Sequence, residues 1–312
     1  MSRPDVSSEG EPPLESTPAS LDPADAFALI GNETRLAILE ALWAADDRPV
    51  PFSALRREVG MRDSAQFNYH LQKLTGHFVT KVDGASDEDG TGDDGYAFKH
   101  AGEKVVRSVI AGSFNEHPTF EPFAVEGSCF ACNGALEARY DDERLTIVCT
   151  DCGEAHGEYS FPPGGLNDRT AEEIADAFDQ RVRHLHCLAA DGVCPECSGR
   201  METEIVDEGE CCLGVRVRVD HECAQCGHTL CSAAGLRLLD HSAVVSFHRE
   251  RGVPLDERSY WTLPWCVSDE YTQVLERDPW RLEVRMPVDG DELQVTLDGD
   301  LSVLETNVRT GD

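Results

Sequence analysis

The run CFACNGALEARYDDERLTIVCTDCG at residues 129–153 decides the architecture of the C-terminal half of this chain. It contains two Cys-x-x-Cys pairs, Cys129/Cys132 and Cys149/Cys152, with sixteen residues between Cys132 and Cys149. Each pair can present two thiolates to one ion, and two pairs close a tetrahedral site. Between them, residues 136–140 and 145–148 read as strands that turn through Asp141, Asp142 and Glu143, so the cysteine pairs fall at the open end of a hairpin. The pattern recurs at Cys194/Cys197 and Cys223/Cys226, with twenty-five residues between Cys197 and Cys223 and strands expected near 200–206 and 214–219. Gly153 and Gly227 follow the second pairs directly, where glycine lets the backbone turn tightly and aim its amides at sulfur; Gly134 and Gly199 follow the first pairs one position later. These spacings predict zinc ribbons at 125–162 and 193–235, each holding one structural Zn2+ through four cysteines.

Composition narrows the setting. The chain has 312 residues, 59 acidic against 27 basic, for a formal charge of -32. The only lysines are Lys73, Lys81, Lys99 and Lys104. Acidity over the whole length with few lysines suits a protein working in very high salt, where carboxylates keep it hydrated and salt screens their repulsion. A halophilic archaeon is the expected source. No signal peptide and no apolar run of about 18 residues is present, so a cytoplasmic protein away from membranes is expected. Thiols stay reduced there, which favours metal ligation over disulfides.

Outward from the ribbons, Ile174, Phe178, Val182 and Leu185 form one stripe of a helix over about 170–190, expected to pack between the ribbons or against a partner subunit. Residues 236–312 predict a small α+β module. It has a helix over 244–251, a core built on Trp261, Trp265 and Trp280, and a final hairpin turning at Asp289, Gly290 and Asp291 between 282–286 and 293–297. Residues 1–24 read as a disordered tail and 114–124 as a linker.

Residues 25–113 change to helical periodicity. Asp25 can cap a first helix and Asn32 a second carrying Leu36, Ile38, Leu39 and Leu42, and Ser53 can open a third with Leu55 and Val59 inward. Asp63 or Ser64 can cap a fourth, with Phe67, Leu71 and Leu74 buried. Strands at 78–82 and 96–98 flank an acidic loop, and a helix over 101–111 follows. Two helices joined by a tight turn and followed by a hairpin predict a winged helix-turn-helix. The expected fold class is α+β: an N-terminal winged helix-turn-helix, two zinc ribbons and the C-terminal module.

Here a likeness becomes specific. The segment Gly31, Asn32, Glu33, Thr34, Arg35, Leu36, Ala37, Ile38, Leu39 resembles the opening helix of ArsR-type winged-helix regulators. Phe67, Asn68, Tyr69, His70, Leu71, Gln72, Lys73, Leu74 resembles their recognition helix. The whole chain looks like a haloarchaeal ArsR-type regulator with C-terminal zinc ribbons. The resemblance implies a transcriptional regulator that binds double-stranded DNA, commonly as a homodimer, with 101–111 as a dimer contact. Residues 52–59 lack the paired cysteines that the founding metal sensors carry in the third helix, so metal sensing there is not carried over.

The chemistry of the fourth helix agrees with this. Ser64, Gln66, Asn68, Tyr69 and Lys73 offer polar groups for base edges and phosphates, and Lys81 and Lys99 stand at the base of the hairpin. Residues 25–113 hold ten basic and fourteen acidic residues, six of the acids between Asp83 and Asp94. In molar salt the Debye length is about 3 Å, so distant carboxylates scarcely repel phosphate. Arg216 and Arg218 read as one strand face, a weak nucleic-acid signal. Cys187, Cys211, Cys212, Cys231 and Cys266 remain; some could join His186, His221 or His228 in a third metal or redox site, though small buried hydrophobes are the expected role. His184, His186 and His241 are expected at the surface or an interface. No P-loop, dinucleotide glycine pattern or catalytic motif is present, so an enzyme is not expected. The alternatives are a zinc-ribbon interaction protein of the transcription machinery and a zinc- or thiol-responsive sensor.

Overall fold

Caps and breakers set the N-terminal helices. The structure, a computed structural model, describes residues 21–83, 94–208 and 214–311, which divide into two compact units on either side of residues 116 and 117. Residues 1–20 of the proposed tail lie outside the described residues, and its last two, 23 and 24, belong to a helix. Helix α1 (Pro23–Ile30) is capped by Asp22, whose carboxylate accepts from the Ala24 amide at 2.9 Å. Asp25, the expected cap, sits instead inside the first turn, where a carboxylate favours the helix dipole. Asn32 caps α2 (Glu33–Ala44) as predicted. Helix α3 (Phe52–Glu58) starts one residue before the expected Ser53, because Pro51 sets an extended approach and Phe52 turns edge-on to Phe67 at 5.1 Å. Asp63 caps α4 (Ser64–Leu74) through the amides of Ala65 and Gln66.

Two strands, β1 (Val79–Val82) and β2 (Gly95–Phe98), pair antiparallel with Val79 opposite Phe98 and Val82 opposite Gly95. Val50 and Tyr96 exchange both backbone bonds at 2.9 Å, a single bridge on the edge of β2 away from β1. Helix α5 (His100–Ile110) closes the unit. Ile38, Leu39, Leu42, Leu55, Phe67, Leu71 and Leu74 are fully buried, so α2, α3 and α4 share one core. Most of the acidic loop, residues 84–93, lies outside the described residues.

The second unit is mostly antiparallel sheet. Its first sheet has four strands in sequence order: β3 (Phe123–Ser128), β4 (Ala135–Asp141), β5 (Arg144–Cys149) and β6 (Ala155–Ser160). Only β4 and β5 were legible. Strand β3 starts within the expected linker, and β6 reads polar because His156, Glu158 and Ser160 interrupt its apolar pattern. Helix α6 (Ala171–Ala190) carries a capping box, Thr170 with Glu173, and buries Ile174, Phe178, Val182 and Leu185 as predicted. Phe178 lies against Tyr159, Phe161, Tyr260 and Trp261.

The second sheet is β7 (Met201–Val206), β8 (Arg218–Cys223) and β9 (Thr229–Ser232). The strand expected at 214–219 starts four residues later. Val217 is buried, but its amide and that of Arg216 donate to the Asp269 carboxylate at 3.1 and 3.2 Å rather than to a strand. Arg216 and Arg218 therefore do not share a strand face. Helix α7 (Ser242–Glu250) leads to a third sheet of four strands, β10 (Thr272–Arg277), β11 (Trp280–Val288), β12 (Asp291–Asp298) and β13 (Val303–Arg309). The predicted hairpin is its centre, β11 and β12, so the expected small α+β module is mainly sheet. Trp261 and Trp265 are buried, and Trp280 packs on the core from the edge. No helix among the described residues is long and apolar enough to cross a membrane.

Candidate metal centres and nucleic-acid interface

Each Cys-x-x-Cys pair is held by the same local bonds. The amides of Cys129, Cys149, Cys194 and Cys223 donate to the carbonyls of Gly134, Glu154, Gly199 and His228, five residues on, at 2.8–2.9 Å. The carbonyls of the same cysteines accept from residues 133, 153, 198 and 227, four residues on. Closing that turn needs a positive φ at the fourth residue, and Asn133, Gly153, Ser198 and Gly227 all have one, between 61° and 77°. Gly134 and Gly199 have a different task from Gly153 and Gly227. A Cβ on Gly199 would lie 3.1 Å from the sulfurs of Cys197 and Cys223, and one on Gly134 would lie 2.6 Å from Asp151. Close approach, rather than a left-handed turn, requires them.

The turns bring the sulfurs together in two sets, Cys129, Cys132, Cys149 and Cys152, and Cys194, Cys197, Cys223 and Cys226, each with all ligand atoms within 4.8 Å. Facing sulfurs lie 3.5 and 3.7 Å apart in both sets. A metal–sulfur bond of about 2.3 Å gives a tetrahedron with edges of about 3.8 Å, so these residues fit an ion at the centre. The first cysteine of every pair is buried and the second is exposed. The Cys152 amide, with burial opposing, draws the Cys149 thiol down to about 7. Burial opposes ionisation of Cys223, yet the amides of Cys226 and Gln225 bring it to about 6. Although the amides of Gly134 and His228 favour the thiolates of Cys132 and Cys226, the surrounding sulfurs push both up to about 12. Four adjacent thiolates thus need a cation before all can ionise.

Among the described residues no third set of three ligand atoms comes together. Cys211 and Cys212 lie outside the described residues. Cys266 is buried, and burial raises its thiol well above the ordinary range. Cys187 and Cys231 are half-buried. His184 is exposed and His241 half-buried, but His186 is a correction: it is 2 % exposed, on the core side of α6. Its ring lies 5.1 Å from Tyr159 and 6.2 Å from His221, which accepts or donates at Thr203 Oγ1 at 2.9 Å. Burial, with a smaller push from His221, lowers His186 to about 3. The unfolded chain takes up a proton below about 6.5, whereas the folded one does so only near 3. Stability contributed by neutral His186 is therefore complete above 6.5 and falls as the pH drops towards 3. His186→Leu is expected to flatten the slope between pH 6.5 and 5 by up to about 1.4 kcal/mol per pH unit relative to wild type. Denaturant melts at both pH values check this; equal slopes would exclude it.

In the N-terminal unit all seven predicted contact residues, Ser64, Gln66, Asn68, Tyr69, Lys73, Lys81 and Lys99, are exposed. They are not equivalent. With Phe67, Leu71 and Leu74 buried, helical periodicity turns Tyr69 directly outward, with Gln72 and Lys73 on either side of it, Gln66 further round and Ser64 and Asn68 at the margins. Gln72 was passed over; its spacing of three from Tyr69 was the available signal. Lys73 Nζ lies 5.7 Å from the Tyr69 ring centroid. Lys81 is held by Asp83 at 2.8 Å, and Lys99 donates to the Gly76 carbonyl at 2.6 Å, so neither extends freely from the hairpin base. Arg57, near the end of α3, and Arg62, two residues before α4, are exposed and form no ion pair among the described residues. By contrast Arg139, Arg144 and Arg218 of the cysteine-bearing sheets each sit against a carboxylate.

Among protein families, the model of a domain of unknown function, DUF7351, matches residues 126–303. That of a second domain of unknown function, DUF7347, matches residues 23–109. No curated protein matches the chain.

Proposed function

We propose that this chain, which belongs to the DUF7351 domain family, is a DNA-binding transcriptional regulator of the ArsR-like winged-helix kind, whose α4 reads duplex DNA while two zinc ribbons stiffen its C-terminal unit. The observation that carries the reading is α4 itself. It buries Phe67, Leu71 and Leu74 completely and turns Gln66, Tyr69, Gln72 and Lys73 to solvent, directly before an antiparallel hairpin. That is the arrangement a helix needs to lie in a major groove with its amides on base edges. Gln66 and Asn68 suit adenine, and Arg57, Arg62 and Lys73 suit flanking phosphates. In this reading a homodimer would read two half-sites, as helix-turn-helix domains commonly do.

The ribbons would each hold one Zn2+ through four thiolates, supplying folding energy and leaving no open position for a substrate. In this reading the protein works in a reducing, salt-rich cytoplasm. Counterion release contributes little there, so specificity rests on base contacts and shape.

The test is equilibrium binding to duplexes selected from the host genome in molar salt. Gln66→Ala/Asn68→Ala is expected to weaken the selected site by about 10- to 100-fold while leaving unrelated duplexes unchanged. Equal affinity of wild type and variant for the selected site would count against α4 as the reading element.

A further inference from the structure

We infer that β13 is a self-complementary edge on which a second copy of this chain docks, joining the two third sheets into one continuous sheet. Strand β13 ends its sheet, and its outer edge pairs with no strand among the described residues. Residues 304–309 are all exposed, including Leu304 at 50 % and Val308 at 47 %. Edge strands are ordinarily guarded by lysines, prolines, bulges or covering elements. The opposite edge, β10, is guarded: its register breaks between Val274 and Glu276, and Arg277 is tied to Asp207 at 2.6 Å. In β13 the irregularity falls at Leu304, and residues 305–309 run straight against β12 with neither lysine nor proline.

Charge says what the occupant is. The chain carries 59 acidic and 27 basic residues, so at low salt most of its surfaces repel a second copy. Strand β13 has one of each, Glu305 and Arg309, and neither forms an ion pair among the described residues. In an antiparallel pairing centred on Asn307, Glu305 of each copy faces Arg309 of the other, Thr306 faces Val308, and the two Asn307 amides meet. Thr306 and Val308 lie on the same face as the buried Val295 and Leu293, their partners on β12. A two-fold axis normal to the sheet therefore continues the apolar face of one copy into the other. Arg309 already stands opposite Glu292 within its own sheet, so the second copy's Glu305 would complete an alternating row.

Hydrogen exchange at residues 303–309 of the full chain, over a concentration series, tests this independently of DNA binding and of association through any other face. It should be run at the lowest salt that keeps the fold. The wild-type amides pointing away from β12 are expected to become protected by at least about tenfold as concentration rises. Glu305→Arg alone and Arg309→Glu alone are expected to lose that protection, since each places like charges opposite one another, and an equimolar mixture of the two should regain it. Val308→Lys is expected to abolish it, with β11 and β12 amides as the check that each variant is folded. Unprotected wild-type amides at every concentration, or a mixture that regains nothing, would overturn the proposal; the first result would also leave a foreign strand as the remaining occupant.

Discussion

Cys194→Ser is expected to release one of two metal ions and melt the β7–β9 sheet while the first four-cysteine set keeps its ion. The second sheet has three short strands, and Cys194 and Cys223 lie among its buried groups beside Met201, Val219 and Leu230. The sheet itself supplies few apolar side chains to the larger core of the unit, so the metal centre is expected to supply much of what holds its strands. A structural zinc site typically contributes about 10–16 kcal/mol to its unit, and serine leaves three thiolates that cannot close the tetrahedron. Elemental analysis should read one ion per chain in place of two. Exchange protection should vanish across 201–232 and persist at 136–149. Two ions retained in the variant, with the sheet intact, would exclude a folding role for this centre. The exposed partners Cys132, Cys152, Cys197 and Cys226 are where a chelator would first gain access.

Arg183→Ala carries the next largest expected effect, about 3–5 kcal/mol of destabilisation of the C-terminal unit. Arg183 and Asp179 lie one turn apart on α6, buried on both sides, with Nε to Oδ2 at 2.6 Å. Asp179 also accepts the Tyr260 amide at 2.6 Å, and Arg183 donates to the carbonyls of Leu255, at 3.2 Å, and Arg258. The pair thus pins the segment before Trp261 to the helix. Burial raises the Asp179 carboxyl, while Arg183 and the Tyr260 amide pull it back. Alanine would leave a buried carboxylate without its counter-charge, held only by the Tyr260 amide and Gln180 Nε2. Arg183→Ala/Asp179→Ala is expected to recover part of the loss, because the uncompensated charge goes with its partner. A single variant as stable as wild type in denaturant melts would show the pair to be dispensable.

Several parts of this molecule were open to reading because a short spacing carried the physics. Four Cys-x-x-Cys pairs in two sets dictate which sulfurs meet, and helical periodicity at Phe67, Leu71 and Leu74 dictates which side of α4 is free. What stayed hidden depended on partners distant in sequence. Strands β3, β6, β9, β10 and β13 are sheet edges, and an edge strand buries too little to alternate cleanly; β13 has six exposed residues of seven. The strand expected at 214–219 has genuine buried valines, but Asp269, more than fifty residues away, takes the amides of Arg216 and Val217. His186 follows Val182 by four, so its spacing placed it at the margin of the buried stripe of α6, but the partners that cover it, Tyr159 and His221, are distant in sequence. Glycines 134 and 199 were visible, but their reason, the closeness of Asp151 and of the facing sulfurs, appears only in three dimensions.

The measurement that bears most directly on the central claim is crosslinking and sequencing of DNA bound to this protein in its host cells, beside Gln66→Ala/Asn68→Ala. Sharp peaks that share one sequence motif and vanish in the variant are expected if α4 reads duplex DNA. No peaks, or peaks at every active promoter regardless of the substitutions, would contradict that account and point to a ribbon-mediated partner of the transcription machinery.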